Sequence, residues 1–344
     1  MELKKTLVIA ILLSLIGIIA WETYWRSQGY APNLDDNKDL WAVHRANVNN
    51  ASNTDVLLLG SSRVLFDIQL DEWEEKTGTR PIQLATAGAS PLPIFSDIIN
   101  NSDFTGTIVL GVTPPLFFST TFPMADPWER AQSRVDHFYE RTYAQRLNHL
   151  VSIPLQQNLV LMSTSEEKWA SNIDLKTLVR NIRIGNRIPE GMPPFYRFDN
   201  MTLDRNTTMT ERTATDTAFA NTIKRVWGFF GKTSPPPDKE STIAFFLNDA
   251  EKFIAKGGNL ILLRCPSTGG FRAGENQGVP KDQFWDELIS KTDAKAYHFE
   301  EYTELKGFEC PEWSHLSAKD AKTFTNRVVQ IMQKDGALTN LKIN

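Results

Sequence analysis

Cysteine is nearly absent from this chain. Its 344 residues hold two, Cys265 and Cys310, too few for a disulfide scaffold and spaced like no zinc-binding pattern, which sets a metal role aside. One disulfide between them would close a loop of roughly 46 residues and contribute about 4 kcal/mol on the chain-entropy picture. Two buried free thiols are the alternative. Clustered positive charge is also missing: the net charge is −4 and no Lys/Arg-rich stripe occurs, so nucleic acid is excluded as a partner. No internal repeat is visible. Hydrophobic residues, 41% of the chain, suffice for a packed core, and a globular protein is the default.

Only one hydrophobic run reaches membrane-spanning length. Thr6 to Trp21, TLVIAILLSLIGIIAW, carries no charge, and roughly 16 residues give about 24 Å of helix. Leu3, snorkelling Lys4 and Lys5, and an aromatic belt of Trp21, Tyr24 and Trp25 supply the remaining length. Trp21, Glu22 and Thr23 follow the run in place of the small residues that a signal peptidase requires, so the segment reads as an uncleaved anchor. Lys4 and Lys5 precede it while Asp35, Asp36 and Asp39 follow it. The positive-inside bias then leaves the N-terminus in the cytoplasm and the rest outside.

The chain divides into an anchor (1–25), a connecting arm (26–54) with a short helix expected from Leu40 to Val48, the first part of a domain (55–117), an insertion (118–237) and the second part of the domain (238–344). Asp55–Gly60, the run from Pro81, and Gly106–Val112 are short apolar segments ended by glycine or serine, as expected of buried parallel strands. Asn259–Arg264 and a short run at Ala296–Phe299 follow the insertion. Helix-like stretches lie at Ile94–Asn100, Asn248–Lys256 and Ala318–Gln333. Alternating strands and helices imply an α/β fold with a parallel sheet covered on both faces. The insertion, rich in Arg, Thr, Asn and Pro, reads as mainly helical, with a patch from Trp128 to Leu150, and as a cap over the sheet edge.

In open α/β sheets ligands bind at the carboxyl ends of the strands. Those ends deliver Gly60-Ser61-Ser62-Arg63, Ala87-Gly88-Ala89-Ser90, Gly111-Val112-Thr113-Pro114 and Arg264-Cys265-Pro266-Ser267, and Pro311-Glu312-Trp313-Ser314-His315 stands near the C-terminus. A serine nucleophile needs a base, an acid that orients the base, and oxyanion donors. Ser62 is the candidate nucleophile, His315 the base and Glu312 its orienting acid, with the N–H groups of Gly88 and Ser62 as oxyanion donors. The bland alternative makes Ser62 a helix cap and His315 a surface residue.

These blocks resemble the SGNH-hydrolase family, which places a G-D-S-type serine after its first strand, a glycine after its second, a G-x-N-D turn after its third and D-x-x-H near its end. Gly60-Ser61-Ser62 is similar to the first block, Gly88 to the second, and Glu312-Trp313-Ser314-His315 to the last with Glu for Asp. Thr113 stands where the family's oxyanion asparagine would. The resemblance covers the exported domain apart from the insertion, and implies an SGNH-like sheet flanked by helices with no cofactor.

Anchor and outward domain together resemble the bacterial inner-membrane accessory proteins of exopolysaccharide O-acetylation, of the alginate type, and the D-alanine transfer protein of teichoic acids. That implies a periplasmic acyltransferase or esterase working on a polysaccharide beside a multi-spanning membrane-bound O-acyltransferase. The other implied reading is a non-catalytic glycan-binding or scaffold subunit. An α/β-hydrolase is disfavoured, because Gly60-Ser61-Ser62-Arg63-Val64 lacks the second glycine of a nucleophile elbow.

Arg63 and Arg264 are expected to pair with Asp67 or another acid, with the holding of an anionic substrate as their functional alternative. His44, His137, His149 and His298 carry no supporting motif. Trp128, Trp169, Trp227 and Trp285 are read as core aromatics before sugar-stacking platforms.

Overall fold

The apolar runs pair as their burial predicts. In the computed structural model, which describes residues 2–119, 121, 125–162 and 193–338, the strands in chain order are β1 (Val56–Leu59), β2 (Ile82–Gln83), β3 (Thr107–Gly111), β4 (Asp199–Met201), β5 (Thr207–Met209), β6 (Asn259–Arg264) and β7 (Lys295–His298). Five of them form one sheet in the order β2-β1-β3-β6-β7, with every neighbouring pair parallel. This is a doubly wound arrangement in which the chain starts inside the sheet at β1, moves out to β2 and then reverses direction to β3. The short pair β4-β5 is antiparallel.

Strand residues alternate between two cores. Val56, Leu58, Val109, Ile261 and Leu263 pack on one face with Phe324, Val328 and Met332 of the helix Ala318–Lys334. Leu57, Leu59, Ile108, Leu110 and Leu262 pack on the other with Phe95 of the helix Leu92–Asn101 and Phe246 and Phe253 of the helix Lys239–Ala255. With helices on both faces, the strands need no polar side, which is why they read as continuous apolar runs.

The segment read as an arm is tightly packed. Asn37 caps the helix Lys38–Asn47 through the Leu40 N–H, and the fully buried Trp41 donates its indole N–H to the Leu84 carbonyl at 3.0 Å. The N-terminal helix runs from Glu2 to Ser27. It is long and apolar enough to cross a membrane, and none of its apolar stretch is buried by the rest of the chain.

Within the insertion, the expected helix from Trp128 to Leu150 is two helices, Asp126–Glu140 and Tyr143–Asn158. They break at Thr142, whose side chain makes a reciprocal capping box with Gln145. The β4-β5 hairpin is an element the sequence reading did not contain. Arg205 turns it with φ +64, and its guanidinium, fully buried, donates to the carbonyls of Gln83 at the end of the edge strand β2 and of Ala85 just after it while pairing with Asp36. The hairpin is thereby fastened to the β2 edge.

Candidate active site

Three features of the chain bring Ser62 to the rim of the sheet. β1 ends at Leu59, Gly60 follows, and the helix Ser62–Asp67 starts at once, capped by the Ser61 hydroxyl, which accepts from the Arg63 N–H. Gly60 and Gly111 are required by close approach: a Cβ on either would stand 2.6 or 2.1 Å from Cγ2 of Val64. The serine helix can settle on the ends of β1 and β3 only because both positions lack a side chain.

His315 comes to the same rim from a residue separation of 253, and its Nε2 lies 2.7 Å from the Ser62 hydroxyl. Its Nδ1 lies 2.9 Å from Glu312 Oε1. Trp313, with φ +80, folds the short loop back so that the same oxygen also accepts the backbone N–H groups of Ser314 and His315, at 3.3 and 2.6 Å. The other oxygen of Glu312 accepts the indole N–H of Trp227. Burial alone would push this carboxyl up, but the imidazole beside it and these donors hold it below the usual glutamate range. With Glu312 ionised, its hydrogen bond to Nδ1 favours the tautomer whose Nε2 faces the serine as an acceptor. Phe66 stacks on the imidazole at 4.5 Å, and Phe198 and Trp227 flank it at 5.7 and 6.0 Å.

Further bonds staple the serine helix to the histidine loop and to the helix Ala318–Lys334 that follows it. Asp67 Oδ1 accepts the Leu316 N–H at 2.9 Å, the Thr325 hydroxyl donates to the Asp67 carbonyl at 3.0 Å, and Arg63 Nε donates to the Ser314 hydroxyl at 3.3 Å. The Asp67 carboxyl is fully enclosed, and that desolvation pushes its pKa well up.

Three residues stand as candidate oxyanion donors: Gly88, Ser62 and Thr113. Gly88 turns the chain after β2 with φ +66, a conformation that glycine adopts freely. The loop before it is held to the serine loop by the Thr86 N–H, which donates to the Gly60 carbonyl at 2.9 Å. Thr113 meets Ser61, with 2.6 Å between the two hydroxyls. If Ser61 donates in that bond, the Thr113 hydrogen is free for an oxyanion; if Thr113 donates, it is not. Ser62 opens its helix, so its own N–H has no partner within the helix.

Arg63 and Arg264 pair with an acid, as the sequence reading preferred. Both are buried and share Glu275: Arg63 Nη1 stands 2.8 Å from one carboxylate oxygen and Arg264 Nη2 2.6 Å from the other. Ser267 also donates to Glu275 at 2.6 Å. The two arginines hold this carboxylate below its usual range against the pull of burial. The acid is Glu275 in place of Asp67, and neither guanidinium is open to an anionic substrate. Cys265 and Cys310 are free, buried thiols, which removes the disulfide alternative in this structure, and burial raises both.

Among the tryptophans, Trp128 and Trp285 are buried in the core, and Trp169 lies outside the described residues. Trp227 has a role that core packing does not cover, as the indole donor to Glu312. Nothing in its local sequence signals this, since its partner is 85 residues away. Glu275 was missed for the same reason: it sits in the motif-free stretch GENQG and is defined only by the arginines that the fold brings to it.

No protein-family model matches this sequence, and no curated protein matches it as a relative.

Proposed function

We propose that the protein is a membrane-anchored SGNH-like serine acyltransferase or esterase that modifies an extracellular polysaccharide. The observation that carries this reading is the unbroken line from Ser62 through His315 to Glu312, with links of 2.7 and 2.9 Å. In the proposed reaction Ser62 Oγ attacks the acyl carbonyl as its proton passes to His315 Nε2, and Glu312 stabilises the imidazolium. The leaving group takes that proton, which leaves an acyl-serine. A glycan hydroxyl, or water, then gives its proton to His315 and attacks the acyl carbon, the bond to Ser62 Oγ breaks as His315 returns that proton to the serine, and the ester moves to the glycan or is hydrolysed. The N–H groups of Ser62 and Gly88, with the Thr113 hydroxyl, are the candidate oxyanion donors, each worth about 3–4 kcal/mol where such donors have been measured.

The doubly wound strand order and the placement of Ser62, Gly88 and Thr113 after β1, β2 and β3 support the SGNH-like reading. The first helix, with Lys4 and Lys5 ahead of its apolar stretch and acidic residues after it, supports a single-pass bacterial inner-membrane protein with a cytoplasmic N-terminus and a periplasmic domain. Its partner in this reading is a multi-spanning membrane-bound O-acyltransferase that brings the acyl group across. The test is labelling with a fluorophosphonate probe. Wild type should label and Ser62→Ala should not; equal labelling would remove Ser62 from the mechanism.

A second reading, a non-catalytic glycan-binding or scaffold subunit, is favoured by one observation: the threonine at the asparagine position already bonds to Ser61. It predicts that cells carrying Ser62→Ala or His315→Ala acylate their polymer normally.

A further inference from the structure

The helix Tyr143–Asn158 is amphipathic with its faces reversed. Tyr143, Leu147, Leu150, Val151 and Leu155 fall on one side at helical spacing and are all exposed, Tyr143 at 82% and Leu150 at 64%. The opposite side turns polar residues inward beside the half-buried Ile153: His149 and Gln156 are buried, and Gln156 accepts the Asp35 N–H at 3.0 Å. A helix packed only for the benefit of its own domain would place these faces the other way. Beside it an apolar groove of about 620 Å³ opens against the helix Lys38–Asn47, lined in part by Val43, Leu150, Ile153 and Leu203, and it widens the apolar surface.

The end of this helix is tied to the end of the first helix. Glu22 accepts the N–H groups of Val160 and Leu161 at 2.8 and 3.2 Å, and Arg26 donates to the Asn158 carbonyl at 2.8 Å. Trp21, Tyr24 and Trp25 gather at the same level, with ring centroids 5.6 and 5.2 Å apart, as aromatic side chains do at a membrane interface. From Arg141 to Met162 there is no Asp or Glu, and Arg146 is exposed beside the apolar face.

We propose that the helix Tyr143–Asn158 lies in the membrane surface, its apolar face seated at the headgroup–acyl boundary of the bilayer that the first helix crosses. The inference rests on reading that first helix as a membrane anchor. Two fixed attachments, one crossing and one lying flat, would set the height and tilt of the Ser62 rim above the lipid. An anchor alone would leave the domain free to swing. The site would then be held where an acyl donor emerging from the membrane can reach it.

Site-directed nitroxide labelling of the full-length protein tests this in vesicles of phosphatidylethanolamine and phosphatidylglycerol, with Leu147→Cys and Val151→Cys on the helix, Leu12→Cys in the anchor and Glu251→Cys on an exposed part of the domain. Native Cys265 and Cys310 are buried, so the introduced thiols take the label. Labels at 147, 151 and 12 should be open to oxygen and shielded from a water-soluble nickel chelate, and the label at 251 should show the reverse. If 12 is lipid-exposed while 147 and 151 meet the chelate, the membrane-lying helix is refuted and the anchor stands. If 147 and 151 are shielded from both reagents, protein covers this face and the inference fails. If 12 itself meets the chelate, the anchor reading fails and this inference with it.

Discussion

The helices Ala318–Lys334 and Tyr143–Asn158 have similar length and similar apolar spacing, yet they point their apolar faces in opposite directions. The first buries Phe324, Val328 and Met332 against the sheet, while the second turns Leu147, Leu150 and Leu155 outward and buries His149 and Gln156. Amphipathic spacing says that one face needs apolar surroundings; it does not say which surroundings. In the sheet domain the core supplies them. In the insertion, only Ile153 of the helix's apolar residues packs inward beside the buried His149 and Gln156, and the larger apolar face is left exposed. The same division holds at the site, where Ser62, Glu312 and His315 all come from the sheet domain and the insertion reaches the reacting line through the Trp227 hydrogen bond and the ring of Phe198.

If the sheet domain alone performs the chemistry, removing its base should have the largest effect. His315→Ala should cut the rate of fluorophosphonate labelling by about 10⁴-fold, the scale of losing one member of a working triad, with circular dichroism showing a folded protein. A labelling rate within tenfold of wild type would mean that Ser62 does not depend on this imidazole. Next in size is Glu275→Gln, which leaves Arg63 and Arg264 buried without their shared counter-charge and should lower stability by about 3–5 kcal/mol in denaturant unfolding. A change below about 1 kcal/mol would contradict a structural role for the cluster.

Acid should act on the same contacts in a defined direction. Glu312 and Glu275 both have folded-state affinities for protons below the usual glutamate range. Their contribution is therefore present above the unfolded value of 4.5 and is lost as pH falls through the lower folded values. Stability measured between neutral pH and pH about 3 should decline for wild type, and less steeply for Glu275→Gln. Equal slopes would show that Glu275 contributes nothing to the linkage.

How much of this was legible beforehand follows from the range of each interaction. β1, β3 and β6 could be read because a strand covered on both faces is apolar throughout, and Ser62, Glu312 and His315 could be named because strand ends and a short E-x-x-H spacing are local signals. β4-β5 could not: Asp199–Met201 and Thr207–Met209 are largely polar, and the turn residue in the left-handed region is Arg205 where glycine or asparagine would have flagged it. Glu275 and Trp227 were invisible because their roles are set by partners far along the chain. The spacing of Leu147, Leu150 and Leu155 was present in the sequence, but the direction of that face became readable only with the buried polar residues behind it.

The smallest effect bears most directly on what the insertion gives the site. Trp227→Phe removes the indole N–H from Glu312 and keeps a ring in place against Phe195 and Phe198, which stand 5.5 and 6.2 Å from the native one. Glu312 still bonds to the imidazole and to two backbone N–H groups, so the histidine remains oriented. One hydrogen bond to a charged group is worth about 1.5–3 kcal/mol. Only part of that is felt at the reacting serine, so labelling at neutral pH should slow by no more than about tenfold. The diagnostic readout is the acid limb of the labelling profile. Losing a donor raises the proton affinity of Glu312, so the variant should lose activity at a higher pH than wild type, whereas damage confined to packing would lower the rate at every pH and leave the limb where it was. An unmoved limb would make Trp227 a packing residue and the site the work of the sheet domain alone.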